Sequence, residues 1–272
     1  MPQKLDLSLS HNCSFPLVQE IWFDSLTIFW GEWLDLRVRV KQIIASGMVS
    51  PIIYILAFGL GLGNSLGKPT VGDTYLEFIL PGMIALSSMT ICFAGTTFSI
   101  CGDRLYSKTF EELLLLPIHP LALYLGKVMA GVARGLLTSS AVIVIAILST
   151  GKIFGFLNPL FLLLLILNCS VFAGLGVIAG LNVSSIESVG LYNNFLIVPM
   201  SFLGGTFFDP SSLPIYFKAL LYVLPLTYTS LGLRAAAYLP LQQFPWFTLP
   251  ILLSMALILA IIGAHQFSNQ QD

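Results

Sequence analysis

The chain has 272 residues, of which 56% are hydrophobic and only 9% charged, and its mean hydropathy is +0.89. Soluble domains carry about 25% charged residues, and a globule of this length has too little interior to hide so much apolar sequence; a soluble enzyme, a disordered chain and a disulfide scaffold are excluded. A formal charge of −1 leaves no basic footprint for nucleic acid.

The few charges act as fence posts. Uncharged stretches of 26 residues follow Lys41, 25 follow Glu77, 17 follow Arg134, 34 follow Lys152, 21 follow Glu187 and 37 follow Arg234. Crossing the hydrocarbon core takes about 20 apolar residues in a helix. The expectation is an all-α membrane protein with six transmembrane helices near 43–64, 78–100, 128–150, 156–180, 190–208 and 245–267, forming one domain over 43–268. Runs such as those at 160–167 and 251–262 do not alternate as barrel strands do. Residues 1–18 are polar, lack a signal-peptide pattern and are expected, with 269–272, to be cytosolic tails. Six spans put both ends on one side. With the N-terminus inside, inner segments hold eight cations (Lys4, Arg37, Arg39, Lys41, Arg104, Lys108, Lys127, Arg134) and outer segments four (Lys68, Lys152, Lys218, Arg234), which favours N-in, C-in.

Three stretches are not simple spans. In 19–42, Trp22, Leu26, Phe29, Trp30 and Trp33 recur at helical spacing. This predicts an amphipathic interface helix whose basic end (Arg37, Arg39, Lys41) meets anionic lipid, or a cytosolic helix packed on a partner. In 101–127, Thr109 and Glu112 have capping-box spacing. They predict a short helix over about 110–116, stopped by Pro117 and followed by a helix that Pro120 opens. Such a helix is stiffly fused to the third span. Residues 209–238 predict two short helices: one capped by Ser211 or Ser212 with Pro214 in its first turn, the other following Pro225. Each is about 16 Å long and cannot span. They form either a re-entrant hairpin shielded by protein or two helices in the outer interface. Gly59/Gly63, Gly131/Gly135 and Gly176/Gly180 are GxxxG pairs that permit close helix contacts.

Chemistry of the chain's own is sparse. The Gly-Lys pairs at 67–68, 126–127 and 151–152 lack the phosphate-cradle pattern, and the letters of a dinucleotide fingerprint at 174–179 fall inside an apolar run without a preceding strand. His11, His119 and His265 and the four cysteines have no metal-ligand spacing. Arg134 is the one ionisable residue in question within a span, and it can snorkel to the inner face. An ion-driven secondary transporter needs embedded carboxylates or paired broken helices; it stands as an alternative, as does a membrane-embedded lipid-modifying enzyme.

Two blocks resemble the permease subunit of type-2 ABC exporters. Glu112-Leu-Leu-Leu-Leu-Pro117 followed by Gly126-Lys127 is similar to the family's inner-loop pattern. Gly205-Thr206-Phe207-Phe208, Leu213-Pro214 and Pro225-Leu226-Thr227-Tyr228, with Arg234 nine residues after Pro225, are similar to the pattern around the last two spans. The blocks look most like the drug-resistance and nodulation-factor branch. The resemblance implies a non-enzymatic transport subunit in the cytoplasmic membrane, or in an organellar membrane of bacterial origin. It implies assembly with two cytosolic ABC ATPase subunits and a second permease copy or paralogue. ATP and magnesium are used by the ATPase, and no cofactor is bound by this chain. The cargo class is drugs, lipids, oligosaccharides or polysaccharides. Glu111, Glu112, Leu113, Pro117, Ile118 and His119 would couple to the ATPase. Gly204, Gly205, Phe207, Phe208, Pro214, Pro225 and Tyr228 would form the outer gate and part of the translocation path. His119-Pro120 departs from the polar or basic residue of many relatives, and Arg134 has no assigned role.

Overall fold

A computed structural model describes residues 17–57, 74–208 and 214–271. The N-terminal tail, the far end of the first expected span with Gly59/Gly63, and the cap candidates Ser211 and Ser212 lie outside the described residues. Every regular element among the described residues is helical: α1 (Leu17–Tyr54), α2 (Tyr75–Gly102), α3 (Thr109–Leu115), α4 (Pro120–Thr150), α5 (Ile153–Phe156), α6 (Pro159–Asn182), α7 (Ile186–Tyr192), α8 (Val198–Leu203), α9 (Ile215–Leu221), α10 (Pro225–Tyr238) and α11 (Thr248–Gln271). Among the described residues five helices are long and apolar enough to cross a membrane: Val18–Ala57, Tyr75–Ser107, Pro120–Thr150, Pro159–Asn182 and Thr248–Gln270.

The helix starts follow local chemistry. Pro120, Pro159 and Pro225 each open a helix, and the preceding His119, Asn158 and Leu224 are extended. A proline lacks the N–H that a first turn leaves unused, and it pushes its predecessor out of the helical region. Gly151, at φ 69°, closes α4 in the left-handed conformation that glycine adopts without steric cost.

α2 is the central helix. It packs against α4, α6 and α10, and nearly its whole first half is buried. Both described GxxxG pairs face it. A Cβ on Gly135 would lie 2.2 Å from Cys92 Sγ, and one on Gly176 would lie 2.7 Å from the Phe93 carbonyl. The glycines therefore let α4 and α6 approach α2 more closely than any side chain permits. α11 packs on α4 and α6 and exposes its other face, including Leu257, Ile258 and Ile261.

Three expectations are corrected. The helix of 19–42 runs without a break into the near part of the first expected span, as one helix, α1, to Tyr54, because the change from amphipathic to apolar composition at residue 42 contains no backbone-breaking residue. The expected span 190–208 is an interrupted helical stretch: α7, a π turn at Asn193–Ile197, then α8 with Pro199 in its first turn. Pro199 has no N–H to donate to the Phe195 carbonyl, and the wider register absorbs that loss. The Thr109/Glu112 capping box does not form. The chain leaves a π turn at Asp103–Ser107, reverses through Lys108 at φ 55°, and Thr109 is already helical, with no side-chain cap.

Candidate functional site

α2 separates two sites, one at each end. At one end, α3 sits on the surface with Phe110 buried beneath it, packed near Phe267 and covered by the Arg104 guanidinium. Leu113 and Ile118 pack against the core, while Glu111, Glu112, Leu115 (86% exposed), Leu116, Pro117 and His119 face outward. Leu116 is extended before Pro117, which ends the helix. His119 has a role that its spacing did not reveal: its Nδ1 accepts from the Leu121 backbone N–H at 3.2 Å, capping α4.

Beneath this surface lies a cluster that inspection of the sequence missed. Lys127 Nζ donates to Glu32 Oε1 of α1 at 2.5 Å and to Asp103 Oδ2. Arg134 donates to Glu32 Oε2 at 2.7 Å and to the Gly95 carbonyl at 2.8 Å. The Ser99 hydroxyl completes the shell of Glu32 at 3.0 Å. Arg134 is therefore buried and paired rather than snorkelling, and Lys127 lies inside α4 rather than in a connector. Two cations seven residues apart share one helix face, and buried cations need buried anions. That was the readable signal; the identity of the anion was not readable. Arg104 donates to the Gly180 carbonyl at 3.1 Å and to that of Leu181, satisfying the unpaired end of α6.

α1 packs on α4 through Ser25, Ile28 and Leu36, with Glu32 in the same stripe. Trp22 and Trp30 are left exposed, so the predicted tryptophan face is available to lipid or to a partner.

At the opposite end, α9 is exposed at Tyr216 whereas α10 is buried along most of its length among α2, α6 and α11. Gly204 and Gly205 are buried against α10. A Cβ on Gly204 would meet Leu226 at 2.4 Å, and Gly205 has φ 72°. Ser230 donates to the Gly204 carbonyl at 2.8 Å. Arg234 donates to the carbonyls of Phe78 (2.8 Å), Gly205 (2.5 Å) and Thr206 (2.8 Å) and lies 3.8 Å over the Phe78 ring. Phe207 and Phe208 are half-buried; the Phe207 carbonyl accepts from Tyr75, and its ring meets Tyr54 and Phe202. Tyr228 does not join them. Its hydroxyl donates to the Tyr222 carbonyl at 2.6 Å, and Pro225 is buried in the first turn of α10. Pro214 is exposed at the start of α9. The structure thus brings Gly205 and Thr206 to Arg234, seats Gly204 on Leu226 and Ser230 of the same helix, and leaves Tyr228 bonded to Tyr222 and Pro214 exposed at the start of α9. Between the two ends, buried Asn168 of α6 donates to Ala85 and Ser88 of α2 and accepts from Thr229 of α10.

Among the described residues no group of three or more His, Cys, Asp or Glu is placed to hold a metal ion. What is left is a helical, multi-pass membrane protein with a braced surface helix at one end and a buried helical hairpin arm at the other. The chain belongs to the ABC-2 type transporter family, whose model matches residues 25–238, and it is thereby a transmembrane transport permease subunit. It is similar to the inner membrane transport permease YadH of Escherichia coli strain K12, with 27% identity over 80% of this chain and 84% of that protein. It is also similar to nodulation protein J of Rhizobium leguminosarum bv. viciae (26% identity, 75% and 78% covered) and of Rhizobium meliloti strain 1021 (28%, 71% and 72%). Permeases of this family normally work with ABC ATPase subunits.

Proposed function

We propose that this chain is the permease of an ABC exporter of the cytoplasmic (inner) membrane, moving an amphipathic or lipid-linked substrate with ATP hydrolysed by two separate cytosolic subunits. The observation that carries this reading is α3, a proline-terminated helix held at the surface by a buried Phe110, with Glu111, Glu112 and Leu115 facing outward. It has the exposed mixed surface a docking element needs, and stiff connections on both sides. The name of the Escherichia coli relative supports the location, and the likeness to nodulation protein J agrees with the branch that the two sequence blocks resemble.

On this reading α3 and Pro117–His119 face the cytosol and contact the ATPase. The interrupted stretch 186–203 makes the sixth crossing, so both termini lie inside. The burial of α10 among three helices supports a re-entrant hairpin shielded by protein. ATP-driven closure of the partners biases a pair of permeases, two copies of this chain or one with a paralogue, between inward- and outward-facing states. Gly204, Gly205, Phe207 and Phe208, with the 214–228 arm, form the outer gate.

Purification from the native membrane tests this. An ABC ATPase subunit is expected to co-purify, its hydrolysis is expected to respond to the permease, and Glu112→Lys is expected to weaken the pairing. Single cysteines at Thr109 and Tyr216 are expected to label from opposite sides. Transport by the chain alone on an ion gradient would refute the reading.

A further inference from the structure

The inner segment that carries α3 has two stems. Asp103 stands at its entrance, where α2 passes into the π turn, and Lys127 stands two turns into α4 at its exit. One ammonium joins both stems to α1, because Lys127 contacts Asp103 and Glu32 together. Arg134 holds the second oxygen of Glu32 and the backbone of α2 at Gly95. The side chains are 5% (Lys127), 13% (Glu32), 9% (Arg134) and 24% (Asp103) exposed. Their formal charges cancel.

Displacing either stem relative to α1 would pull opposite charges apart at a largely buried site, and this is unfavourable. Backbone packing reinforces the tie on either side of it. A Cβ on Gly126 would lie 2.7 Å from Ile28 Cβ, and one on Gly47 would lie 2.2 Å from Thr138 Cγ2. α1 and α4 thus touch closely above and below the charges. A single zero-sum cluster therefore fastens three long helices and both stems of α3.

We propose that Glu32, Asp103, Lys127 and Arg134 are positioning residues that make α1, α2, α4 and the α3 segment one rigid body, so that a push on α3 moves the permease rather than bending its inner loop. The proposal rests on the permease reading above and goes beyond it by assigning the transmission to a buried charge cluster. The exposed Asp35–Arg39 pair of α1, 3.4 Å apart, has no part in it.

The test uses the full chain assembled with the ABC ATPase subunits that co-purify with it. Spin labels at Thr109→Cys and Val49→Cys report the distance from the α3 segment to the far half of α1, with and without ATP. In the otherwise native protein this distance is expected to stay constant while permease-dependent stimulation of hydrolysis is intact. Glu32→Gln/Arg134→Met removes one charge of each sign and leaves Lys127 with Asp103. It is expected to keep the ATPase bound, to lose the stimulation and to make the distance nucleotide-dependent. Asp35→Asn/Arg39→Gln is expected to change nothing. Lys127→Met/Asp103→Asn is the second neutral pair, used if the first fails to assemble. A distance that changes in the native protein, or full stimulation in an assembled double variant, overturns the proposal. So does failure of both pairs to assemble, which would make the cluster a folding element. If the unaltered chain neither binds nor stimulates an ABC ATPase, the permease reading itself fails and this assignment falls with it.

Discussion

At the α3 end, Lys127 and Arg134 are matched by the carboxylates of Glu32 and Asp103, whereas at the hairpin end Arg234 turns to the carbonyls of Phe78, Gly205 and Thr206. The backbone explains the contrast. Where α1, α2 and α4 meet, the helices are regular and most peptide groups are satisfied within them, so the buried cations take side-chain acids, with the Gly95 carbonyl of α2 as an added acceptor for Arg134. At the hairpin end α8 stops at Leu203 and the chain turns at Gly205. Carbonyls released by a helix end need donors, and the fork of Arg234 supplies them. A charge cluster linking regular helices resists rearrangement. Carbonyls at a chain bend can exchange a guanidinium for water. The first arrangement suits an element that transmits force, the second an element that opens.

The largest expected effect lies in the charge cluster. Glu32→Ala strands Arg134 and half of the Lys127 shell, and it is expected to cost about 3–5 kcal/mol, read as a lowered thermal midpoint of the purified protein. The exposed Arg39→Gln is expected to stay within about 0.5 kcal/mol. Equal effects from the two would show that burial does not set the strength of the cluster, and the contrast drawn from it would fail. At the hairpin end, Arg234→Lys keeps the charge but loses the fork. It is expected to cost about 1–3 kcal/mol and to raise the labelling rate of a cysteine placed at Phe207, with no change at Thr109. An equal rise at Thr109 would show that the two ends do not move independently. A smaller loss, about 1 kcal/mol, is expected for Thr227→Val. Its hydroxyl, bonded to the Leu221 carbonyl at 2.7 Å, joins α10 to α9.

How much of this could be read from the chain depends on the range of the interaction. Pro117, Pro120, Pro159 and Pro225 act on their own neighbours, so the ends of α3, α4, α6 and α10 were legible within a few residues. Composition was a poorer guide to continuity. The polar-to-apolar change near residue 42 marks an environment, not a break, and α1 runs through it. The interruption at Asn193–Ile197 depends on Pro199 and on how the stretch packs, and only the first is local. Glu32 finds Lys127 and Arg134 across 95 and 102 residues. The spacing of the two cations announces that an acid is needed, but one chain's spacing does not say which. Likewise, Arg234 was visible as a cation in an apolar stretch, and its three carbonyl partners became visible only when α2 and the 204–206 bend were brought to it.

A purely local effect separates stiffness from docking at the α3 end itself. His119 is exposed, yet its Nδ1 accepts from Leu121 and so fixes the first turn of α4. His119→Ala is expected to cost about 1 kcal/mol of local stability, seen as roughly five-fold faster amide exchange at Leu121 with the global thermal midpoint unmoved. His119→Asn supplies a shorter cap acceptor and is expected to restore slow exchange. If coupling to the ATPase recovers with the asparagine, the residue works by stiffening the joint between α3 and α4. If exchange recovers and coupling does not, the imidazole itself meets the partner, and the rigidity of the α3 end comes from the buried charges beneath it.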